Sequence, residues 1–169
     1  ADKYGKRDVF SVALFMATFF IFIFYFFSPG SVELIFLSQI LHGFFYGLTI
    51  PLLWAMIADV ADYSEWKNNR RATAIIFSAM MVGLKGGLSI GSALVTWILG
   101  LYKYITKEAA IAGEVIVQPD TAVQGTKMLV SIFPAIPFLI AIGLLVLYDI
   151  DKKMEVEIER DLKERRNNG

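Results

Sequence analysis

Four stretches of this chain are nearly free of charge, and each is long enough to cross a lipid bilayer. Residues 9–27 form a run of nineteen and residues 34–58 a run of twenty-five that includes one histidine. Residues 72–102 form a run of thirty-one broken only by Lys85, and residues 128–148 a run of twenty-one. A helix rises about 1.5 Å per residue, so about twenty apolar residues cover the hydrocarbon core. None of the runs alternates polar and apolar residues, which excludes barrel strands. The first run is too long for a signal-peptide core, and no small-residue cleavage site follows it. The sequence therefore predicts an all-α membrane protein. Its partner is the lipid bilayer, and spans are expected at about 9–28, 32–60, 72–103 and 126–149. Residues 1–150 form the four-helix transmembrane segment, and residues 151–169 a charged amphipathic tail.

Other classes fall away. Net charge is zero, so bulk charge attracts no nucleic acid. Cysteine is absent, which removes disulfides and thiolate metal sites. There is no phosphate loop, zinc-ligand spacing or serine-hydrolase elbow. The sequence thus predicts no enzyme, no bound metal and no resident cofactor.

Basic residues set the orientation. The start, the segment 59–71 and the tail carry twelve lysines and arginines, against three in 28–33 and 103–127. The positive-inside bias then places both chain ends in the cytoplasm. In this reading 59–71 is a charged inner loop, and 103–127 is an outer loop broken by Gly113, Pro119 and Gly125. In the tail, Met154, Ile158 and Leu162 recur every four residues, as in a surface helix lying on the membrane or on the protein.

The third span has two faces. At 100° per residue, Ser78, Ser89, Ser92 and Thr96 fall within about 40° of Lys85, while Gly83, Gly87 and Gly91 fall on the other side. The glycine face suits close helix packing. A lysine at mid-bilayer costs roughly 2.5–3.5 kcal/mol on insertion scales, so such residues face a bundle interior or a wet cavity. The two readings are a cavity cation and a structural lysine paired with a neighbour's carbonyl or carboxylate.

The second span has a stripe of its own. Gln39, His42, Tyr46 and Thr49 are spaced three, four and three apart, and Trp54 lies at the edge of that face. Hydrogen-bonding groups interleaved with aromatics suit a polyol, whose ring faces stack and whose hydroxyls bond. For His42 alone, an interhelical hydrogen bond is the plainer reading. Pro51 interrupts the helix where the stripe ends and predicts a kink. Gly43 and Gly47 form a second small-residue pair for packing.

The stretch PLLWAMIADVADYSEWKNNRRATAIIFSAMMVGLKGGLSIG resembles the glycoside–pentoside–hexuronide:cation symporters, the melibiose permease-like branch of the major facilitator superfamily. Asp59, Asp62, Tyr63 and Glu65, with Arg71 and Lys85, stand in the family's register, and DKYGKR at 2–7 is similar to the superfamily's Asp-x-x-Gly-Arg-Arg loop. The ending is similar to the family's last helix and tail. The resemblance implies import of a glycoside, pentoside or hexuronide with Na+ or H+ by alternating access in a bacterial inner membrane. It implies that the chain, which begins at Ala1, corresponds to helices nine to twelve, and that upstream helices carry the cation carboxylates. Lys85 would then sit beside those carboxylates, and Met81 and Ser89 would join the second-span stripe in lining the sugar cavity. Asp59, Asp62, Tyr63, Glu65, Arg70 and Arg71 would form a cytoplasmic gate that pairs across the two halves. The plainer reading of those charges is a solvated loop. A family tryptophan is Ile50 here, and a family glutamine and threonine are Met80 and Met81, which favours a glycoside other than melibiose. A self-sufficient four-helix protein acting as a structural or interaction subunit is the alternative function.

Overall fold

The computed structural model describes residues 4–28, 30–106 and 117–167. It contains α1 (Lys6–Ile23, extended by a 3-10 turn at Phe24–Phe26), α2 (Val32–Asn68) and α3 (Thr73–Leu101). It continues with α4 (Asp120–Val130), α5 (Ile132–Leu144, followed by a 3-10 turn at Leu145–Leu147) and α6 (Lys152–Asn167). The described residues form no strand. Lys6–Phe26, Val32–Asn68, Thr73–Leu101 and Asp120–Leu147 are long and apolar enough to cross a membrane. Gly5 precedes α1 at φ 85°, a conformation open to glycine at little cost.

Two boundaries differ from expectation. Residues 59–68, read from sequence as loop, are the last turns of α2. Their Ala, Glu, Lys and Trp residues tolerate a helix well, and charge alone does not end one. The helix stops one residue later, at Asn69, which takes the left-handed φ of 51° typical of a C-terminal cap. The fourth span begins at Asp120 and is divided at Ser131. Pro134 explains the division, because it gives no N–H to the Val130 carbonyl and its ring crowds that carbonyl. The Ser131 hydroxyl folds back onto Lys127 O at 2.6 Å. Gly125, read as a breaker, lies inside α4. A Cβ there would overlap the Tyr102 ring, so the glycine permits close approach of the end of α3.

The packed part of the molecule is α1 against α2 and α5. Phe10 and Leu14 of α1 meet Met56 of α2, and Leu52, Leu53, Phe138 and Ile142 close around them. Ala13 and Ala17 are buried as well. Between lipid-solvated helices the gain comes from such close packing and from interhelical hydrogen bonds, since lipid tails are as apolar as leucine. In contrast, α3 buries none of its residues. It touches α2 where Phe77 stacks on Trp54 at 6.0 Å, and α4 through Tyr102, whose hydroxyl lies 3.3 Å from Met128 Sδ. A gap of about 440 Å³, lined in part by Gly91, Leu94, Phe133 and Pro137, separates α3 from α5. Added Cβ atoms at Gly83, Gly87 or Gly91 would meet nothing within 4 Å, and the same holds at Gly43 and Gly47. Neither glycine stripe packs against another helix among the described residues.

Candidate functional site

The expected gate residues gather where the N-terminal end of α1, the C-terminal end of α2 and α6 meet. Lys6 Nζ donates to both carboxylate oxygens of Asp59, at 2.7 and 2.8 Å, and lies 2.9 Å from Glu155 Oε1. All three side chains are largely shielded, with 26%, 16% and 19% exposure. Arg71 reaches Asp62 at 3.1 Å and Glu65 at 3.6 Å. Asp62 Oδ1 is buried and receives no well-directed hydrogen bond, so the Arg71 contact is electrostatic rather than a hydrogen bond. Arg166 Nη2 donates to Glu65 at 3.1 and 3.2 Å. Tyr63 accepts from Lys67 Nζ at 3.0 Å, and the Arg70 carbonyl accepts from Ser64. The sequence singled out Asp59, Asp62, Glu65 and Arg71. It passed over Glu155 and Arg166, whose signal was the four-residue apolar repeat that docks α6 beside them.

That docking rests on Ile158 and Leu162, both buried against Val60, Tyr63, Trp66 and Tyr148. Trp66 Nε1–H donates to Asp161 Oδ2 at 3.0 Å. This bond, with a second from Arg160, holds the Asp161 carboxyl below its usual range. The tail therefore lies on the protein. Nearby, Arg7 donates to Tyr148 O at 3.2 Å, and the Tyr148 hydroxyl donates to Met56 O at 3.2 Å.

The second-span stripe divides between two neighbours. His42 Nδ1 lies 2.9 Å from Ala17 O, and a carbonyl only accepts, so this nitrogen carries the proton. His42 stacks on Tyr46 at 5.9 Å, and Tyr46 stacks on Phe138 at 5.8 Å. Thr49 is buried and donates to Tyr46 O at 2.6 Å. His42 and Thr49 are thus satisfied by backbone, as the interhelical reading of His42 expected. Gln39 Nε2 is buried without a hydrogen-bond partner. Trp54 turns the other way, onto Phe77 of α3.

Lys85 is exposed, and its side chain has no hydrogen-bond or ion-pair partner among the described residues. The Lys85 carbonyl accepts from Ser89, Ser89 O from Ser92, and Ser92 O from Thr96. Those hydroxyls are spent on their own helix. Met81 is also exposed. Because α3 buries nothing, these helices do not enclose Lys85. Among the described residues no bundle interior or cavity surrounds Lys85.

Residues 1–152 match a family described as MFS/sugar transport protein. An Escherichia coli K12 protein provisionally named glycoside/cation symporter YagG is 33% identical over 128 residues, 76% of this chain and 26% of its own length. The inner membrane symporter YicJ of the same organism is 34% identical over 99 residues, 59% of this chain and 20% of its own. The E. coli glucuronide carrier protein homolog is 25% identical over 161 residues, 94% of this chain and 34% of its own. The chain spans a fifth to a third of the length of these relatives. No solved structure matches it.

Proposed function

The chain belongs to the MFS/sugar transport protein family, and from that membership we propose that it is the closing part of a cation-coupled sugar importer. The observation that carries the reading is α3. A twenty-nine-residue apolar helix buries none of its residues and holds, near its middle, one lysine without a partner among the described residues. In lipid that lysine costs roughly 2.5–3.5 kcal/mol, so a partner that covers α3 and neutralises Lys85 is favoured. That cost weighs against a self-standing four-helix subunit. The other helices of the transporter are the natural cover, with acidic groups facing Lys85 at the midplane. A fixed ammonium among carboxylates lowers their net negative charge and so tunes their affinity for Na+ or H+. Sugar binds between the halves of such transporters, and inward and outward openings alternate around it.

The substrate class is a glycoside, pentoside or hexuronide. In this reading Lys85, Trp54, Met81 and Ser89 line the cavity from α2 and α3. Gln39, His42, Tyr46 and Thr49 support it from the α1–α2 contact. Asp59, Asp62, Tyr63, Glu65, Arg70 and Arg71 form the inner gate. The bacterial inner membrane is the setting, both ends of this chain face the cytoplasm, and no covalent chemistry is involved.

The test is uptake of a panel of labelled glycosides, pentosides and hexuronides into membrane vesicles that hold the full reading frame, under an imposed Na+ or H+ gradient. Gradient-dependent accumulation of one class is expected. Equal uptake with and without either gradient, across the panel, would overturn the coupling.

A further inference from the structure

Helix α6 grips the inner end of α2 in two ways. Ile158 and Leu162 dock into the apolar surface of Val60, Tyr63 and Trp66. Around that patch, Asp161 accepts from Trp66, and Arg165 donates to Trp66 O at 3.2 Å and to Asn69 Oδ1 at 2.8 Å. Arg165 thereby caps the C-terminal end of α2, where orphan carbonyls attract cations. Arg166, the next residue, sits on Glu65.

The outcome is a change in what the gate acids have to offer. Glu65 faces Arg71 at 3.6 Å and Arg166 at 3.1 Å, both from this chain. Asp59 is held by Lys6, which it shares with Glu155 of α6. A carboxylate balanced by two cations gains less from a third, because the net field it presents is smaller. If α6 leaves, Glu155 releases Lys6 wholly to Asp59, so Asp59 stays occupied. Glu65 instead loses Arg166 and becomes more available. Contact between α6 and the gate is also incomplete. A pocket of about 400 Å³, lined by Lys6, Asp59, Asp62, Glu155 and Arg166 among others, remains between them, so α6 is attached along one edge rather than embedded.

We propose that α6 is a brake on closure of the inner mouth: Arg166 holds Glu65, and must release it before Glu65 can meet a cation of the other half. This rests on the gate reading above and adds a regulator to it. Whatever detaches α6 then favours the outward-open state.

The chain has no cysteine, so a single Ala58→Cys can report the inner mouth in the full-length protein made otherwise cysteine-free. Ala58 is exposed and lies one turn from Asp62. Arg166→Gln is expected to slow thiol labelling at position 58 about three-fold, the order of effect of one exposed ion pair. Arg166→Lys keeps the charge and is expected to label like the parent. Truncation after Asp151 is expected to slow labelling at least as much as Arg166→Gln. Faster trypsin cleavage at Lys163 in Arg166→Gln, read in inside-out vesicles, would report release of the tail. Labelling at position 58 that is unchanged or faster in Arg166→Gln would overturn the brake. The pair Asp59→Asn with Asp62→Asn separates the two ideas, because loss of gate acids is expected to speed labelling. If that pair acts and Arg166→Gln does not, only the brake fails. If the pair has no effect, the gate reading fails with it.

Discussion

Lys6 ties α1 to both α2 and α6, so its substitution tests that junction directly. Its ammonium is the shared cation of Asp59 and Glu155, at 2.7 to 2.9 Å. Lys6→Met keeps most of the stem and removes the charge, leaving two shielded carboxylates face to face. At 2.8 Å and an effective dielectric near 20, one such ion pair amounts to about 6 kcal/mol of gross attraction. Desolvation of the partners cancels most of that. Exposed pairs net roughly 0–1 kcal/mol, and breaking a fully buried pair costs about 3–5 kcal/mol. The side chains here are 16–26% exposed, so an intermediate cost of about 1.5–3 kcal/mol is expected. Hydrogen exchange in nanodiscs reads it directly. The amides of α6 and of the last turns of α2 are expected to exchange about ten- to a hundred-fold faster in Lys6→Met, since about 1.4 kcal/mol is tenfold. Adding Asp59→Asn removes one of the stranded charges and is expected to return at least half of the lost protection. Lys6→Arg is expected to stay close to the parent. Two results would refute the reasoning: unaltered exchange in Lys6→Met, or a double variant that loses the sum of its two single losses.

Gly125→Leu drives a side chain into the Tyr102 ring and is expected to cost about 1–3 kcal/mol by overpacking, read as a lower unfolding midpoint in detergent; Tyr102→Ala beside it is expected to recover part of the loss. The Asp161 carboxyl is held below its usual range by Trp66 and Arg160, so its support of α6 is complete above the unfolded carboxylate value and is lost as pH falls through its own lowered range. Protection of the α6 amides in hydrogen exchange, compared at acid and neutral pH after correction for intrinsic rates, is expected to fall on acidification, and Asp161→Asn is expected to lower it already at neutral pH. Lys85→Ala in the full-length protein is expected to reduce gradient-driven accumulation while insertion, measured as protein in the membrane, stays near the parent level. Unreduced accumulation would remove Lys85 from the coupling machinery.

The four spans, their order and their helical character were legible because hydrophobic run length is a local property: twenty apolar residues have no other way to satisfy their backbone in lipid. For His42 the sequence offered both a polyol-lining stripe and an interhelical hydrogen bond, and only the packing of α1 on α2 showed that its acceptor is Ala17 O. The true end of α2 was not legible. Charge suggested loop from residue 59, but helix stops are set by capping geometry, and Asn69 alone marks it. Gly125 misled for a related reason, because glycine permits either a turn or a close approach and only the Tyr102 ring decides which.

The family resemblance singled out the carboxylates Asp59, Asp62 and Glu65 but not what holds them. It gave no sign that Lys6, fifty-three residues away, and Arg166, a hundred and one residues from Glu65, would be the cations. Those pairings depend on two long-range events: the packing of α1 on α2, and the docking of Ile158 and Leu162 against Trp66. Sequence by itself determined that this chain crosses a membrane four times and which of its residues are costly there. Only the tertiary structure decided which of them are neutralised within the chain and which, like Lys85, have no opposite charge beside them among the described residues, because compensating a charge takes an opposite charge within a few ångströms in space, whatever their separation along the chain.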